Sequence, residues 1–304
     1  MLASEIPIPR ASSRPRNDRD GETDGCVSMR ERLALAKARV PEVRARVGMK
    51  RWNCIVHHSS IIEQRNRQRT VINRAYHKMH EIAMSCVLPL VTSSVHLCEA
   101  PGGFVQCVAD HLRTPSQNWS WCAVTLKHGI SVDTAYLPQD CGRFVFADVL
   151  EEEERVVMEL RAAFAEGTGV DLVTADGAVD MDHDRIEEEH LPLARAQARI
   201  ALQCLKPGGT FVLKVFECLR VDTRDFISQL THRFESVSII KPTSSRRTNS
   251  ERYLVCRAFN GTSQSIDEIE YVHAIAWNKE YDKIVCGMAV EQLQSLTRII
   301  ELVS

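Results

Sequence analysis

The segment SSVHLCEAPGGFVQ, residues 93–106, gives the clearest local indication of the fold. Its apolar run at 95–98 predicts a buried strand, and the Glu-Ala-Pro-Gly-Gly that follows predicts a tight turn. Apolar residues then recur at the spacing of a helix, at Phe104, Val105, Val108 and Leu112. A strand, a glycine turn and a helix in succession are typical of ligand sites in α/β proteins. The turn is neither a Gly-Lys-Ser/Thr phosphate loop nor a Gly-x-Gly-x-x-Gly loop.

Strands and helices alternate along the rest of the chain. Strand-like runs lie at 94–98, 120–126, 143–148, 171–176, 210–216, 236–241 and 252–259. Helical patterns lie between most of them, at 104–113, 151–165, 187–205 and 222–234. Because helical crossovers join parallel strands, this order predicts a seven-stranded, mostly parallel sheet with helices on both faces. The last two strands are too close together for a helical crossover, so we expect them to be antiparallel neighbours.

Positive charge is concentrated in the first quarter of the chain. Residues 1–78 contain 17 Lys/Arg and 8 Asp/Glu, whereas the remainder contains 21 and 32. A basic arm on an acidic body favours a polyanionic partner, although a solvated tail has the same composition. We expect four parts, namely a disordered basic arm at 1–28, a basic N-terminal extension at 29–60, the α/β domain at 61–260 and a C-terminal extension at 261–304. Helices are predicted at 28–47 with a break at Pro41, at 61–87 and at 289–302.

Composition also bears on compartment, membranes and metals. The eleven cysteines form no Cys-x-x-Cys pair, and an odd count without a signal peptide indicates a reducing, intracellular setting. The sequence leaves open whether that setting is nuclear, cytoplasmic or a viral replication site. No apolar stretch approaches the ~18 residues of a membrane span, so no membrane contact is expected. No metal is expected either, because 180–190 (DMDHDRIEEEH) is better explained as a solvated loop and Cys54, His57 and His58 supply too few zinc ligands.

Polar residues at the carboxyl ends of the predicted strands are the candidates for function, because ligands of open α/β sheets lie there. Asp148 follows the third strand and could cap a helix or contact a ligand. Asp176 precedes a glycine after the fourth strand and could form a turn or face a ligand. Lys214 lies within the otherwise apolar strand TFVLKVF, where an unpaired ammonium is costly. We therefore expect Lys214 to be paired with carboxylates.

Six motifs in order resemble those of the FtsJ-like RNA 2′-O-methyltransferases: INRAYHKM, VHLCEAPGGF, WSWCAVTL, VDLVTADGA, GGTFVLKVFE and KPTSSRRTNSERYLVC. The resemblance covers about residues 68–259 and is closest to the cap-specific mRNA methyltransferases, including the adrift-type group. It implies a Rossmann-like class I fold and S-adenosylmethionine as the methyl donor. It also implies a catalytic tetrad of Lys78, Asp176, Lys214 and Glu251, with Lys214 as the base. Burial and the charge of Lys78 are expected to lower the pKa of Lys214, whereas the carboxylates of Asp176 and Glu251 oppose this shift while they orient the amine.

The same resemblance implies a donor-binding set, which is Glu99, Ala100, Pro101, Gly102, Gly103, Phe104, Thr125, Leu126, Asp148 and Asp176. The two glycines would let the backbone approach the donor, and the helix N-terminus would favour its anionic end. Asp148 would accept a hydrogen bond from the adenine amino group. Glu99 would contact the donor's amino group or ribose, with capping of the turn as the alternative.

Arginines near the tetrad are predicted to hold phosphates of an RNA. They are Arg65, Arg67, Arg69 and Arg74 near Lys78, and Arg246 and Arg247 before Glu251. A cap guanine needs a stacking partner, for which Trp52, Tyr76, Phe216 and the last two arginines are candidates. The implied partners are capped mRNA or another RNA, and other capping enzymes or the transcription machinery. The leading interpretation is methylation of the first or second transcribed nucleotide of capped mRNA. The alternatives are a ribosomal or transfer RNA 2′-O-methyltransferase and a catalytically silent RNA-binding subunit.

Overall fold

The computed structural model describes residues 5–8, 24–58, 71–112, 118–127, 132, 137–164, 169–179, 185–262 and 279–303. The strands are β1 (Ile6–Ile8), β2 (Ser93–Leu97), β3 (Ser120–Thr125), β4 (Gly142–Phe146), β5 (Val170–Ala175), β6 (Leu205–Phe216), β7 (Phe234–Ile240) and β8 (Glu251–Phe259). The helices are α1 (Asp24–Ala38), α2 (Val40–Val47), α3 (Met49–His58), α4 (Arg74–Ser85), α5 (Gly103–His111), α6 (Glu153–Ala163), α7 (Ile186–Cys204), α8 (Val221–Thr231) and α9 (Lys279–Val303).

All the strands belong to one sheet in the order β1-β7-β8-β6-β5-β2-β3-β4. The pairs among β4, β3, β2, β5 and β6 are parallel, whereas β8 runs antiparallel to both β6 and β7. The predicted α/β class, the mostly parallel sheet and the antiparallel final pair are therefore confirmed. The strand number was wrong, because the described residues contain eight strands rather than seven.

The strand that the sequence did not predict is β1, which lies within the predicted disordered arm at 1–28. It pairs antiparallel with β7, with Ile6 opposite Ile239 and Ile8 opposite Val237. Ile8 is buried, and the carboxylate of Glu5 contacts Arg257. Two isoleucines in alternation are enough to add one strand to a sheet edge that is already present, although they are too few to indicate a strand by themselves. The prediction was also wrong for residues 24–28, where α1 begins.

Apolar layers cover both faces of the sheet. Along β6, Phe211, Leu213 and Val215 pack into the larger cluster, which includes residues of α1, α2 and α6–α9. Val212 packs into the smaller cluster with residues of α4 and α5. Because side chains alternate along a strand, Lys214 shares the face of Val212 and lies on the side of α4.

The helices before the sheet differ from the prediction in their bounds. The predicted break near Pro41 is confirmed, because α1 ends at Ala38 and Pro41 lies in the first turn of α2, where its missing N–H is tolerated. The predicted helix at 61–87 begins only at Arg74 in the described residues, because Asn73 caps α4 by accepting the N–H of Ala75 at 3.0 Å. Residues 59–70 lie outside the described ranges.

The C-terminal helix α9 is longer than the predicted 289–302 and packs against α1. Its N-terminal part is anchored by the buried ion pair between Asp282 and Arg224 of α8, with 3.0 Å between Oδ1 and Nη1. No helix in the described ranges is both long enough and apolar enough to span a membrane.

Candidate active site

The topology brings four charged side chains to the carboxyl edge of the sheet. Asp176 follows the end of β5, and Lys214 lies near the end of β6, which is parallel to β5. Strand β8 runs in the opposite direction, so its first residue, Glu251, lies opposite Phe216 at the end of β6. Helix α4 packs over this face and contributes Lys78. The structure thus brings together all four residues of the predicted tetrad.

Lys214 is at the centre of this cluster. Its Nζ lies 2.9 Å from Oδ1 of Asp176 and 3.6 Å from Oε2 of Glu251, and it donates to the backbone oxygen of Asp176 at 2.9 Å. The same Oε2 of Glu251 accepts from Nζ of Lys78 at 2.8 Å. The side chains of Lys214 and Glu251 are only 6% and 5% exposed. Two cations and two anions therefore balance one another in a nearly closed site, which limits the cost of burying them.

The charges of the cluster control its protonation. Burial alone would lower the pKa of Lys214, but the carboxylates of Asp176 and Glu251 outweigh burial and raise this pKa above its ordinary value. Burial likewise opposes ionisation of Glu251, yet Lys78 and Lys214 hold the pKa of this carboxyl well below its usual range. The expectation of a lowered pKa for Lys214 was therefore wrong, because its two carboxylate neighbours stabilise the ammonium more than burial disfavours it.

Tyr253 is a member of the site that the sequence analysis missed. Its hydroxyl donates to Oδ1 of Asp176 at 2.7 Å, and burial raises the pKa of this phenol well above its ordinary value, so it stays protonated. Tyr253 lies opposite Lys214 in the β6–β8 register. The sequence could have indicated it, because residues two apart in a strand share a face and Tyr253 is two residues after Glu251 in β8. Lys241 is a second omission, and its Nζ donates to the backbone oxygen of Glu251 at 2.8 Å.

The glycine turn after β2 has clear structural reasons for both glycines. Gly102 has a φ of +121°, a conformation that side chains rarely adopt. A Cβ on Gly103 would lie 2.1 Å from Oδ1 of Asn73 and 2.9 Å from the backbone N of Tyr76. Gly103 is therefore required by the close packing of α5 against the start of α4, the helix that carries Lys78. This packing, which the sequence did not indicate, connects the turn to the tetrad.

Glu99 caps helix α5. Its Oε1 accepts the N–H groups of Phe104 at 2.7 Å and Val105 at 3.0 Å, and the side chain is buried. Burial raises the pKa of Glu99 to about 8, despite these two hydrogen bonds. The sequence predicted that the N-terminus of α5 would favour an anionic group of the methyl donor. The carboxyl of Glu99 already accepts the N–H groups of Phe104 and Val105, so these two N–H groups do not face such a group. Capping is thus the observed role of Glu99.

The other predicted donor-binding residues lie along the same edge. Phe104 is fully buried, and its ring centroid is 6.1 Å from that of Tyr253. Thr125 is buried at the end of β3, whereas the next residue, Leu126, is exposed. Asp148 follows β4 and accepts the N–H of Leu150 at 2.9 Å in a local turn, and it is not the N-cap of α6. Ala100 and Pro101 are partly buried in the turn.

The predicted RNA-binding arginines are placed only in part, because Arg65, Arg67 and Arg69 lie outside the described residues. Arg74 is one helical turn before Lys78, and its Nη2 donates to the backbone oxygen of Ser244 at 3.0 Å. Burial and the nearby charge of Arg246 lower the pKa of Arg74, so these two cations face the same region. Arg247 is exposed in the loop between β7 and β8.

The predicted stacking residues and metal motifs have different outcomes. Trp52, Tyr76 and Phe216 are each at most 7% exposed, so none presents a broad open face. No group of three or more His, Cys, Asp or Glu that could hold a metal occurs within the described ranges. Residues 180–184 and the side chains of Cys54, His57 and His58 lie outside what the structure describes.

The structure is that of a Rossmann-like α/β protein with a polar site. Its sheet is open and mostly parallel, a glycine turn follows β2, and a Lys–Asp–Lys–Glu cluster lies at the carboxyl edge. The model of the family described as FtsJ-like methyltransferase matches residues 71–259. This match covers more than half of the chain, and the chain belongs to this family.

Relatives and a solved structure resemble parts of the chain. The cap-specific mRNA (nucleoside-2′-O-)-methyltransferase 2 of Danio rerio is 34% identical over 194 residues, which cover 57% of this chain and 25% of the relative. The cap-specific mRNA (nucleoside-2′-O-)-methyltransferase 1 of Trypanosoma brucei brucei is 43% identical over 95 residues, which cover 30% of this chain and 26% of the relative. A putative ribosomal RNA methyltransferase from Plasmodium falciparum has a TM-score of 0.52 at 20% identity, covering 62% of this chain and 99% of that chain. The last likeness concerns the fold alone.

Proposed function

We propose that the chain transfers a methyl group from S-adenosylmethionine to the ribose 2′-hydroxyl of the first or second transcribed nucleotide of capped mRNA. The observation that carries this proposal is the buried contact of Lys214 with Asp176 and Glu251, beside Lys78. The cap-specific names of relatives at 30–43% identity support the substrate class. The matches span only about a quarter of the length of the first two of those relatives, so the substrate is proposed rather than carried over.

The tetrad can position and activate a hydroxyl. A ribose hydroxyl is a weak nucleophile, so the geometry of attack and the removal of its proton both contribute to the rate. Lys214 is the proposed base, and Asp176 and Glu251 hold its amine toward the edge of the sheet. Lys78 fixes Glu251 by donating to its Oε2. Tyr253 fixes Asp176, so each carboxylate has a second partner that orients it.

The protonation of Lys214 sets a condition on this mechanism. A lysine of ordinary pKa, about 10.4, is neutral in about one molecule in 2,500 at pH 7, and the pKa of Lys214 is raised further. When bound, S-adenosylmethionine would supply an activated methyl group on a sulfonium, and a further positive charge near Asp176 and Glu251 would weaken the hold of these carboxylates on the ammonium. In its neutral form, the amine of Lys214 accepts the proton of the 2′-hydroxyl.

The residues at the carboxyl edge are chemically suited to this donor. The turn at Gly102 and Gly103 places the α5 N-terminus beside the cluster, while Asp148 and Asp176 supply carboxylates for a ligand that carries cationic and amino groups. Thr125 ends β3 and Leu126 follows it, and β3 lies between β5 and β4 in the sheet. In this proposal Asp148 accepts from the adenine amino group and Asp176 lies near the transferred methyl. Glu99 supports the site through the start of α5.

The proposal is tested with a pair of transcripts that differ only in the cap. The full chain is incubated with labelled S-adenosylmethionine and either a capped RNA or the same RNA with a 5′-triphosphate, and mass spectrometry locates the methylated ribose. We expect methylation at the first or second nucleotide of the capped RNA only. Equal rates on both transcripts would favour an rRNA or tRNA type of enzyme, and RNA binding without any transfer would favour a silent subunit. If the substrate is nascent mRNA, other capping enzymes or the transcription machinery are its expected partners.

A further inference from the structure

A polar cavity lies beside the tetrad, on the side of the N-terminal and C-terminal helices. It has a volume of about 270 Å³, just below the roughly 300–1,000 Å³ of small-molecule pockets. Its lining comes from α1–α3, from the loop between β7 and β8, from the start of α7 and from α9. Helices α1–α3 and α9 lie outside residues 71–259, so most of this cavity is not part of the family match. We refer to it as the helical groove.

The charged residues that the structure describes in the lining of the helical groove are all basic. Within the described ranges, the lining includes Lys37, Arg44 and Arg246 and no Asp or Glu. Lys37 is neutralised by a buried ion pair with Glu217. Arg44 of α2 and Arg246 of the loop between β7 and β8 also line the groove. Residues 24–58, which form α1–α3, contain eight Lys/Arg and three Asp/Glu. The groove is therefore complementary to a polyanion.

The remaining lining suits a base more than a bare phosphate. Val40, Met49, Trp52, Val56, Ile186 and Leu296 supply apolar surface. Gln292 supplies polar recognition, because its Nε2 donates to the backbone oxygen of Thr248 at 3.1 Å while its buried Oε1 has no partner among the described residues. An apolar wall, an unsatisfied amide oxygen and two arginines together match a nucleotide, which combines a flat apolar base, amino donors and a phosphate.

The groove is fixed relative to the tetrad through short covalent and hydrogen-bonded links. Ser250 lines the groove and directly precedes Glu251, and Asn249 accepts the N–H of Glu251 at 3.0 Å. Glu217, the partner of Lys37, donates its N–H to the backbone oxygen of Ser250 at 3.2 Å. An RNA whose ribose lies at Lys214 would therefore have its neighbouring nucleotides within reach of the groove.

We propose that the helical groove binds a nucleotide of the RNA substrate that flanks the methylated ribose, with Arg44 and Arg246 at its phosphate. This inference rests on the proposed function for the identity of the polyanion. It gives the basic N-terminal helices a specific role, which is to extend the RNA-binding surface beyond the family domain.

The test measures binding of the full chain to a fluorescently labelled, capped ten-nucleotide single-stranded RNA over a series of salt concentrations, without methyl donor. We expect Arg44→Ala to weaken binding on the order of tenfold and to reduce the slope of log affinity against log salt by about 0.7, the value for one lost phosphate contact on a single strand. Arg44→Lys should retain most of that slope, because it keeps the charge. Arg161→Ala is the matched control, since Arg161 lies on α6 and contacts Gln203 at the end of α7.

The outcomes separate this inference from the proposed function. Equal affinities and slopes for Arg44→Ala and Arg161→Ala, with both variants folded by circular dichroism, would overturn the groove while leaving methyl transfer untouched. A loss for Arg44→Lys as large as that for Arg44→Ala would also contradict a phosphate contact. If the wild-type chain bound this RNA through Arg44 but methylated no transcript, the proposed function would fail and the groove would stand.

Discussion

The glycine turn and the tetrad lie at the same edge of the sheet but are built in opposite ways. In the turn, Glu99 accepts hydrogen bonds from residues only five and six positions further along the chain. In the tetrad, Lys78 and Glu251 are separated by 173 positions, and Lys214 and Asp176 by 38. The turn is a local structure that one segment can form, whereas the tetrad exists only after the sheet and α4 have assembled.

The two regions also handle buried charge differently. A single acid in the turn is surrounded by backbone N–H groups, and burial raises its pKa so that it tends to hold a proton. The tetrad instead keeps its groups charged, because each lysine has a carboxylate partner. Changes in the turn should therefore act mainly on folding, whereas changes in the tetrad should act mainly on chemistry.

The largest expected effect comes from removing the proposed base. Lys214→Ala should reduce methyl transfer by about 10²–10⁴-fold, the usual contribution of a positioned base, while the affinity for S-adenosylmethionine stays within about twofold. Lys206→Ala is the matched control, because Lys206 lies at the opposite end of the same strand and pairs with Asp171. Single-turnover rates and calorimetric donor binding supply the two measurements.

Two results would contradict the assignment of Lys214. One is transfer by Lys214→Ala at a rate close to that of Lys206→Ala. The other is a wild-type rate that does not increase with pH. Because the pKa of Lys214 is raised, its neutral, proton-accepting form becomes more abundant as the pH rises, and the rate should increase with it.

Gly103→Ala should produce the next largest effect and connects the two regions. The new Cβ would displace Asn73, which caps α4, and would press on the backbone at Tyr76. Overpacking of this kind costs about 1–3 kcal/mol, and a displacement of about 1 Å at Lys78 can cost on the order of 10²-fold in rate. We expect the free energy of unfolding to fall in chemical denaturation and transfer to fall by on the order of tenfold or more.

The control for Gly103→Ala is the same change at a glycine whose added Cβ would meet no neighbouring atom. A Cβ on Gly287 in α9 would meet no atom within 4 Å, so Gly287→Ala should increase stability by about 0.5–1 kcal/mol. Equal stability changes for the two variants would show that the contact between α5 and α4 is not tight.

The contrast between local and assembled structure explains how much could be predicted from the sequence. The strand, glycine turn and helix at 93–106 were found because their signals are local, and the alternation of strands and helices gave the class of sheet. Lys214 was identified because a lysine in an apolar strand requires a partner. The choice of Lys78 and Glu251 as members of the tetrad came from the resemblance to a family, because nothing local distinguishes them from surface charges.

The parts that were missed depend on distant contacts. Strand β1 forms only because β7 offers an unpaired edge, which two isoleucines cannot reveal in advance. The requirement for Gly103 depends on Asn73, thirty residues earlier, and the pKa of Lys214 depends on the balance of charges around it. The helical groove combines both ends of the chain, so no single motif could indicate it.

The smallest expected effect on methyl transfer concerns Glu99, whose proton acts on stability. Its pKa is raised from 4.5 to about 8, so between these values the folded chain holds a proton that the unfolded chain has lost. This contribution to stability is full below about pH 4.5 and is lost as the pH rises through about 8. Glu99→Gln should remove this pH dependence and change stability little at pH 5, because the amide oxygen can still accept from Phe104 and Val105.

The comparison of free energies of unfolding from pH 5 to pH 9 checks this expectation, with Glu151→Gln, an exposed acid, as the control. Glu99→Ala loses the cap as well and should cost about 0.5–2 kcal/mol at every pH. If the difference between wild type and Glu99→Gln were constant across this range, Glu99 would be ionised throughout. A fall in donor affinity for Glu99→Gln, at unchanged stability, would instead assign the carboxyl a direct contact with the donor and would make the turn part of the binding site rather than its support.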